Sequence, residues 1–279
     1  MKSILLDGQS NMAGRGFLHE TKPICNERIL MLRNGRWQMM AEPIHFDRAV
    51  AGVGPAASFA EAWCSANPGE QIGLIPCAEG GSSLDEWSVD GALFCHAVSE
   101  AGFAMEQSEL AAILWHQGEN DSQGGKYQEY YQKLDVIVNA FRTELGAEHV
   151  PFLIGGLGDY LGKTAFGAHC TEYQFVDQEL CRYAKEHENC WYVTGKELYS
   201  NADGIHINAE SQRRFGLRYF EAYRTGSHVE EPLPGEKELV GALFEREHTA
   251  AEKKYLALEQ FTLGKLSLEE VMKALMQGA

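Results

Sequence analysis

Five short apolar runs punctuate the chain: Ser3–Leu6, Gln71–Pro76, Ala111–His116, Pro151–Gly155 and Cys190–Val193. Most are nearly continuous rather than alternating, the pattern of strands buried on both faces of a parallel sheet. Segments of helical period lie between them. Pro55–Ala66 opens with a proline suited to a first helical turn. Tyr127–Leu145 carries Tyr127, Tyr130, Tyr131, Leu134, Ile137, Val138 and Phe141 on one stripe, and Thr171–His187 and Asn208–Tyr223 repeat the pattern. Strand and helix alternating over roughly 220 residues predict an α/β sandwich with right-handed crossovers.

The pattern changes at Gly226–Gly235, where GSHVEEPLPG combines two prolines and two glycines with acidic residues. The chain is therefore expected to divide into a main domain, 1–225, and a linker with a helical extension, 226–279. Two amphipathic helices are predicted there, Glu236–Phe261 and Ser267–Met276, the second starting with Ser267 and Glu270 at capping-box spacing. No reactive pattern occurs in this extension. It is expected to pack on the main domain or to join copies of the chain into a homo-oligomer.

Composition narrows the function classes. Among 279 residues, 24 Lys+Arg stand against 40 Asp+Glu, a formal charge of −16. Such a balance opposes binding to nucleic acid, which needs clustered cations against phosphate, and to anionic membrane surfaces. Hydrophobic residues at 44% are enough for a packed core. The seven cysteines are odd in number and form no CxxC pair, so neither a disulfide framework nor a zinc ribbon is expected. With no signal-like or membrane-spanning apolar stretch, the expected location is the cytoplasm.

Open α/β sheets bind ligands at the carboxyl ends of their strands. The first strand leads into Asp7-Gly8-Gln9-Ser10-Asn11-Met12-Ala13-Gly14, which puts a serine at such an end. For a lone serine beside glycine, a turn followed by a helix cap is the more common explanation. A nucleophilic serine needs a base, and the base an orienting acid. Asp203-Gly204-Ile205-His206 has the spacing for an acid–imidazole pair around a turn, although a helix cap would also explain Asp203. Acyl transfer further needs donors for an oxyanion. Gly80-Gly81-Ser82, after the second run, offers backbone N–H groups, and Gln117, after the third, a side-chain amide.

Five blocks carry a resemblance: GQSNMAGRG (8–16), GVGPAASFAEAW (52–63), IPCAEGGSSLDEW (75–87), ILWHQGENDS (113–122) and DGIHINAESQRRFGLRY (203–219). Together they resemble the sialate O-acetylesterase-like branch of the SGNH hydrolases, of the carbohydrate esterase family 6 type. The resemblance implies a three-layer α/β/α fold on a five-stranded, flavodoxin-like parallel sheet, and removal of acetyl groups from sugars without cofactor or metal. It implies Ser10 as nucleophile, His206 as general base and Asp203 as its orienting acid, with Glu119 a competitor for that last role. Ser10 N–H, a Gly80 or Gly81 N–H and Gln117 would be the oxyanion donors. Gln9, Arg15 and Trp87 are candidate substrate contacts, Trp87 as a flat face for a sugar ring. The implied partner is a small acetylated carbohydrate, with acetylated xylo-oligosaccharides and sialic acids as the candidate classes. Two other readings are a lipase or thioesterase with an apolar acyl tunnel, and a carbohydrate-binding protein that has lost turnover.

Overall fold

The five apolar runs all form strands, and a hairpin adds two more. In the computed structural model, which describes residues 1–276, the strands are β1 (Lys2–Gly8), β2 (Ile29–Arg33), β3 (Arg36–Met39), β4 (Ile72–Pro76), β5 (Glu109–His116), β6 (Phe152–Gly155) and β7 (Cys190–Val193). Their order is β3-β2-β4-β1-β5-β6-β7, so the sheet has seven strands rather than the five expected. Every neighbouring pair is parallel except β2–β3. That hairpin closes on Asn34-Gly35, both at positive φ (50° and 70°), the conformation of a tight two-residue turn.

Helices cover both faces. The one-turn α1 (Ser10–Ala13), α2 (Ala56–Ala66) and α6 (Ala209–Thr225) lie on one side; α3 (Ala92–Met105), α4 (Tyr127–Leu145) and α5 (Tyr173–Glu186) lie on the other. Because side chains alternate along a strand, Ile4 and Leu6 enter the first core while Leu5 enters the second. Both faces being buried is the reason the strands read as unbroken apolar runs.

Beyond residue 225 the chain forms α7 (Glu236–Ala242), α8 (Ala250–Thr262) and α9 (Leu268–Met276). The single helix expected over Glu236–Phe261 is thus two. Thr249 and Glu252 form a reciprocal capping box that starts α8 afresh. Buried ion pairs dock this extension. Arg218 of α6, fully buried, meets Glu236 through Nε at 2.5 Å and Nη2 at 2.8 Å. Arg246 bridges Glu252 at 2.9 Å and Glu61 of α2 at 3.3 Å. All seven cysteines are free thiols. Among the described residues, no helix is long and apolar enough to cross a membrane.

Candidate active site

The chain runs from β1 to one side of the sheet and then crosses to the other, making the carboxyl end of β1 the topological switch point. Loops from both neighbours converge there. Gln9 N–H donates to His116 O at the end of β5 (2.8 Å), and Glu79 N–H after β4 donates to Gly8 O (3.0 Å). Side chains extending from these three strand ends share one crevice.

Ser10 opens α1 and is nearly buried, with 5% of its surface exposed. As the first residue of its helix it has no intrahelical acceptor, and its N–H is without a protein partner among the described residues. Across the crevice, Asp203 Oδ1 accepts the N–H groups of Ile205 and His206, both at 3.0 Å, which closes the turn at Gly204. Asp203 Oδ2 lies 2.7 Å from His206 Nδ1. Burial works to raise the Asp203 pKa, but these hydrogen bonds and the imidazole outweigh it and hold the carboxyl below its ordinary value. An ionised acid at Nδ1 fixes the proton there and leaves Nε2 as the basic nitrogen.

Asn11 joins the two halves. Its Oδ1 accepts Ile207 N–H at 2.8 Å, its Nδ2 donates to Ile205 O at 3.1 Å, and its own carbonyl accepts from Gln212 Nε2 at 2.9 Å. The residue beside the serine therefore grips the backbone on both sides of His206. Asn11 had no role assigned from sequence, although it lies inside the 8–16 block.

Glu119 is placed elsewhere. It is fully buried and its Oε1 accepts from Asn11 Nδ2 at 2.5 Å and pairs with His116 Nε2 at 3.0 Å. Burial pushes its pKa up, yet His116 and Asn11 bring it below the usual carboxylate value. It acts on His116 and Asn11, whereas Asp203 is the acid in contact with His206.

The donors expected for an oxyanion divide in the same way. Gln117 is fully buried and its Nε2 faces three acceptors: Asp121 Oδ2 at 2.6 Å, Ser82 O at 3.2 Å and Gln9 Oε1 at 3.2 Å. Two amide hydrogens cannot serve these and an oxyanion as well, so the expectation for Gln117 is corrected. Gly80 N–H donates to Asp47 Oδ2 at 2.9 Å and is occupied too. Gly81 N–H has no partner among the described residues, its φ is +80°, and a Cβ there would meet nothing within 4 Å. Gln9 supplies another donor. Its Oε1 collects Gln117 Nε2, Gly118 N–H and Asn120 N–H at 3.2–3.4 Å, which identifies that end as the oxygen and leaves Nε2 without a protein partner. The donors left at the strand end are Ser10 N–H, Gly81 N–H and Gln9 Nε2.

Two further expectations are corrected by burial. Trp87 is fully buried, packs edge-on against Trp115 and donates from Nε1 to Ser82 Oγ at 2.9 Å, so it cannot present a face to a sugar. Arg15 is 6% exposed, and its guanidinium is engaged by Asp47 (2.5 and 3.3 Å) and by Gly14 O (2.8 Å). Asp47 and Asp121 are thus structural acids of the site that sequence reasoning missed: only the folded chain brings Asp47 to Arg15, and spacing alone does not show that the loop after β5 turns Asp121 back onto Gln117. No group of three or more His, Cys, Asp or Glu among the described residues is arranged to hold a metal ion.

A family model described as carbohydrate esterase, sialic acid-specific acetylesterase, matches residues 1–225. The chain belongs to this family. A probable carbohydrate esterase of Arabidopsis thaliana is 30% identical over 244 residues, which span 78% of this chain and 88% of that protein. A crystal structure of an Arabidopsis thaliana protein superposes with a TM-score of 0.71 at 28% identity, covering 80% of this chain and 98% of the other. NanS gives 0.64 at 17% identity (81% and 97% covered), and a carbohydrate acetylesterase from Xanthomonas citri 0.56 at 16% (80% and 55%). At these lower identities the likeness is one of fold. The carbohydrate esterase family match ends at residue 225, just before the extension.

Proposed function

We propose that this carbohydrate esterase removes O-acetyl groups from sugars through an acetyl-serine intermediate. One observation carries the reading: Asp203 holds His206 at 2.7 Å while Asn11, the neighbour of Ser10, bonds the backbone on both sides of that histidine. Ser10 Oγ gives its proton to His206 Nε2 and attacks the acetyl carbonyl. The oxyanion is received by Ser10 N–H, Gly81 N–H and Gln9 Nε2. His206 then protonates the departing sugar oxygen. Water, deprotonated by the same nitrogen, attacks the acetyl-enzyme, and His206 passes that proton to Ser10 Oγ as the acyl bond breaks and acetate leaves.

Ser10→Ala tests this reading. It is expected to lower acetate release from acetylated oligosaccharides by at least about 10³-fold, as loss of a nucleophile does. Equal rates in wild type and variant would remove Ser10 from the mechanism and favour a binding protein. Turnover restricted to long acyl chains would favour a lipase or thioesterase. Acetylated xylo-oligosaccharides and O-acetylated sialic acids, assayed side by side, separate the two candidate sugars. Seven free thiols accord with a cytoplasmic setting, which is proposed on that basis.

A further inference from the structure

The peptides on either side of Gly80 are held from behind by residues outside the serine and histidine loops. Asp47 Oδ2 takes Gly80 N–H at 2.9 Å, and Arg48 Nη2 donates to Gly80 O at 3.0 Å. Asn120 Nδ2 fixes the next carbonyl, Gly81 O, at 2.5 Å. Asp47 and Arg48 are themselves braced. Asp47 is paired with buried Arg15, and Arg48 is paired with Glu79 and donates from Nη1 to Asp47 O at 2.9 Å. A Cβ at position 80 would lie 2.3 Å from Arg15 Nη2 and 2.7 Å from Asp47 Oδ2, so a side chain there would have to displace the Arg15–Asp47 pair.

A trans peptide is planar, and its C=O and N–H point in opposite directions. Anchoring Gly80 O on Arg48 therefore directs Gly81 N–H away from the clamp, towards the open side of the turn. That turn is tied to the end of β1 through Glu79 N–H and Ser82 Oγ, both donating to Gly8 O, at 3.0 and 3.3 Å. Without the clamp, two successive glycines, the second at φ +80°, have several backbone conformations of similar energy, and only some present the N–H to the serine.

We infer that Arg48 and Asp47 are positioning residues that aim the Gly81 N–H at the oxyanion. They touch neither nucleophile nor base, and act through the two successive peptides on either side of Gly80, Asp47 on the first and Arg48 on the second. The inference rests on the esterase mechanism proposed above. It adds a dependence of turnover on a largely exposed arginine, whose side chain is 52% exposed and whose removal leaves the core intact.

Arg48→Ala in the full chain tests it, with 4-nitrophenyl acetate as a neutral substrate and an alkyl boronic acid as a tetrahedral mimic. Deleting an oxyanion donor costs about 10²–10³ in kcat, and misaiming one is expected to cost about tenfold here with KM changed less than twofold. Boronate affinity should weaken by a similar factor and the melting temperature should stay within a degree or so. Arg48→Lys, which keeps a single donor, should recover part of the loss. If kcat stays within twofold of wild type while Ser10→Ala is inactive, the positioning role is overturned and the esterase mechanism stands. A KM rise alone would make Arg48 a substrate contact, and a kcat loss without weaker boronate binding would also overturn the inference. A wild type as slow as Ser10→Ala would overturn the esterase mechanism, and this role with it.

Discussion

The crevice and the C-terminal extension are built on different rules. In the crevice the buried groups are polar and multiply bonded: Gln9, Asn11, Gln117, Glu119 and Asp121 are each at most 3% exposed, and each meets at least two partners. The extension is held mainly by two carboxylates, Glu236 and Glu252, set against Arg218 and Arg246, and leaves Leu263, Leu268, Met272 and Met276 exposed. A site of the first kind holds its side chains in place through shared hydrogen bonds, because a buried polar group that loses its partner is costly. A docked appendage of the second kind tolerates changes except at its few buried charges.

The sharpest way to break this contrast is to exchange the roles of the crevice acids. Asp203→Asn removes the charge that fixes the His206 tautomer and is expected to lower kcat by about 10³–10⁴-fold with little change in stability. Glu119→Gln should do the reverse. It weakens two buried charge-assisted hydrogen bonds, costing about 1.5–3 kcal/mol of stability, while the folded fraction keeps most of its turnover. Steady-state kinetics and urea unfolding of both variants decide the matter. If Glu119→Gln alone abolishes turnover in fully folded protein, the orienting acid is Glu119.

A second experiment moves to the extension. Glu236→Ala leaves the buried Arg218 guanidinium without its carboxylate, and loss of one partner of a buried pair costs about 3–5 kcal/mol. Arg218 also donates to Thr194 O and Lys196 O at 2.9 and 2.7 Å, so part of its hydrogen bonding survives and the lower end of that range is expected. kcat of the folded variant should stay within twofold of wild type. A tenfold fall in kcat at full foldedness would mean that the extension reaches the chemistry, and the contrast between the two regions would collapse.

How much of this was legible depends on whether a role is set locally. Strands buried on both faces announce themselves as apolar runs, and α4 follows its stripe from Tyr127 to Leu145. The β2–β3 hairpin was missed although Asn34-Gly35 signals it, because β3 is a four-residue edge strand with half-exposed side chains. Helix α3 was missed because Ala, Phe, Val and Cys surround much of its circumference and blur the amphipathic stripe. Within the site, Ser10, Asp203 and His206 could be singled out because the chemistry demands those residue types at strand ends and turns. The fates of Gly80 and Arg15 could not, since both depend on Asp47, more than 30 residues away in the chain, and those of Gln117 and Trp87 depend on how their own loops fold back to bring Asp121 and Ser82 onto them. A donor can be read from sequence, but its vacancy cannot.

Acid titration probes the contrast most finely. His45, in the loop before Asp47, is 3% exposed and its Nε2 has no partner. Burial is the main influence and lowers its pKa to about 4, against the upward pull of the Asp47 carboxylate. In the unfolded chain a histidine takes up its proton near pH 6.5, so between pH 6.5 and 4 the unfolded state binds more protons than the folded one. Stability must therefore fall as pH falls through that window, by about 3 kcal/mol from this group. Glu252 behaves differently. Burial raises its pKa, but the Glu27 and Thr249 N–H groups and Arg246 outweigh this and hold it low, so its contribution is lost only below the ordinary carboxylate range. Mild acid should thus weaken the crevice side before it weakens the clamp on the extension. Urea unfolding from pH 7 to 4 is expected to show a decline that His45→Gln largely removes. Parallel declines in the two proteins would clear His45 and place the acid-sensitive group elsewhere.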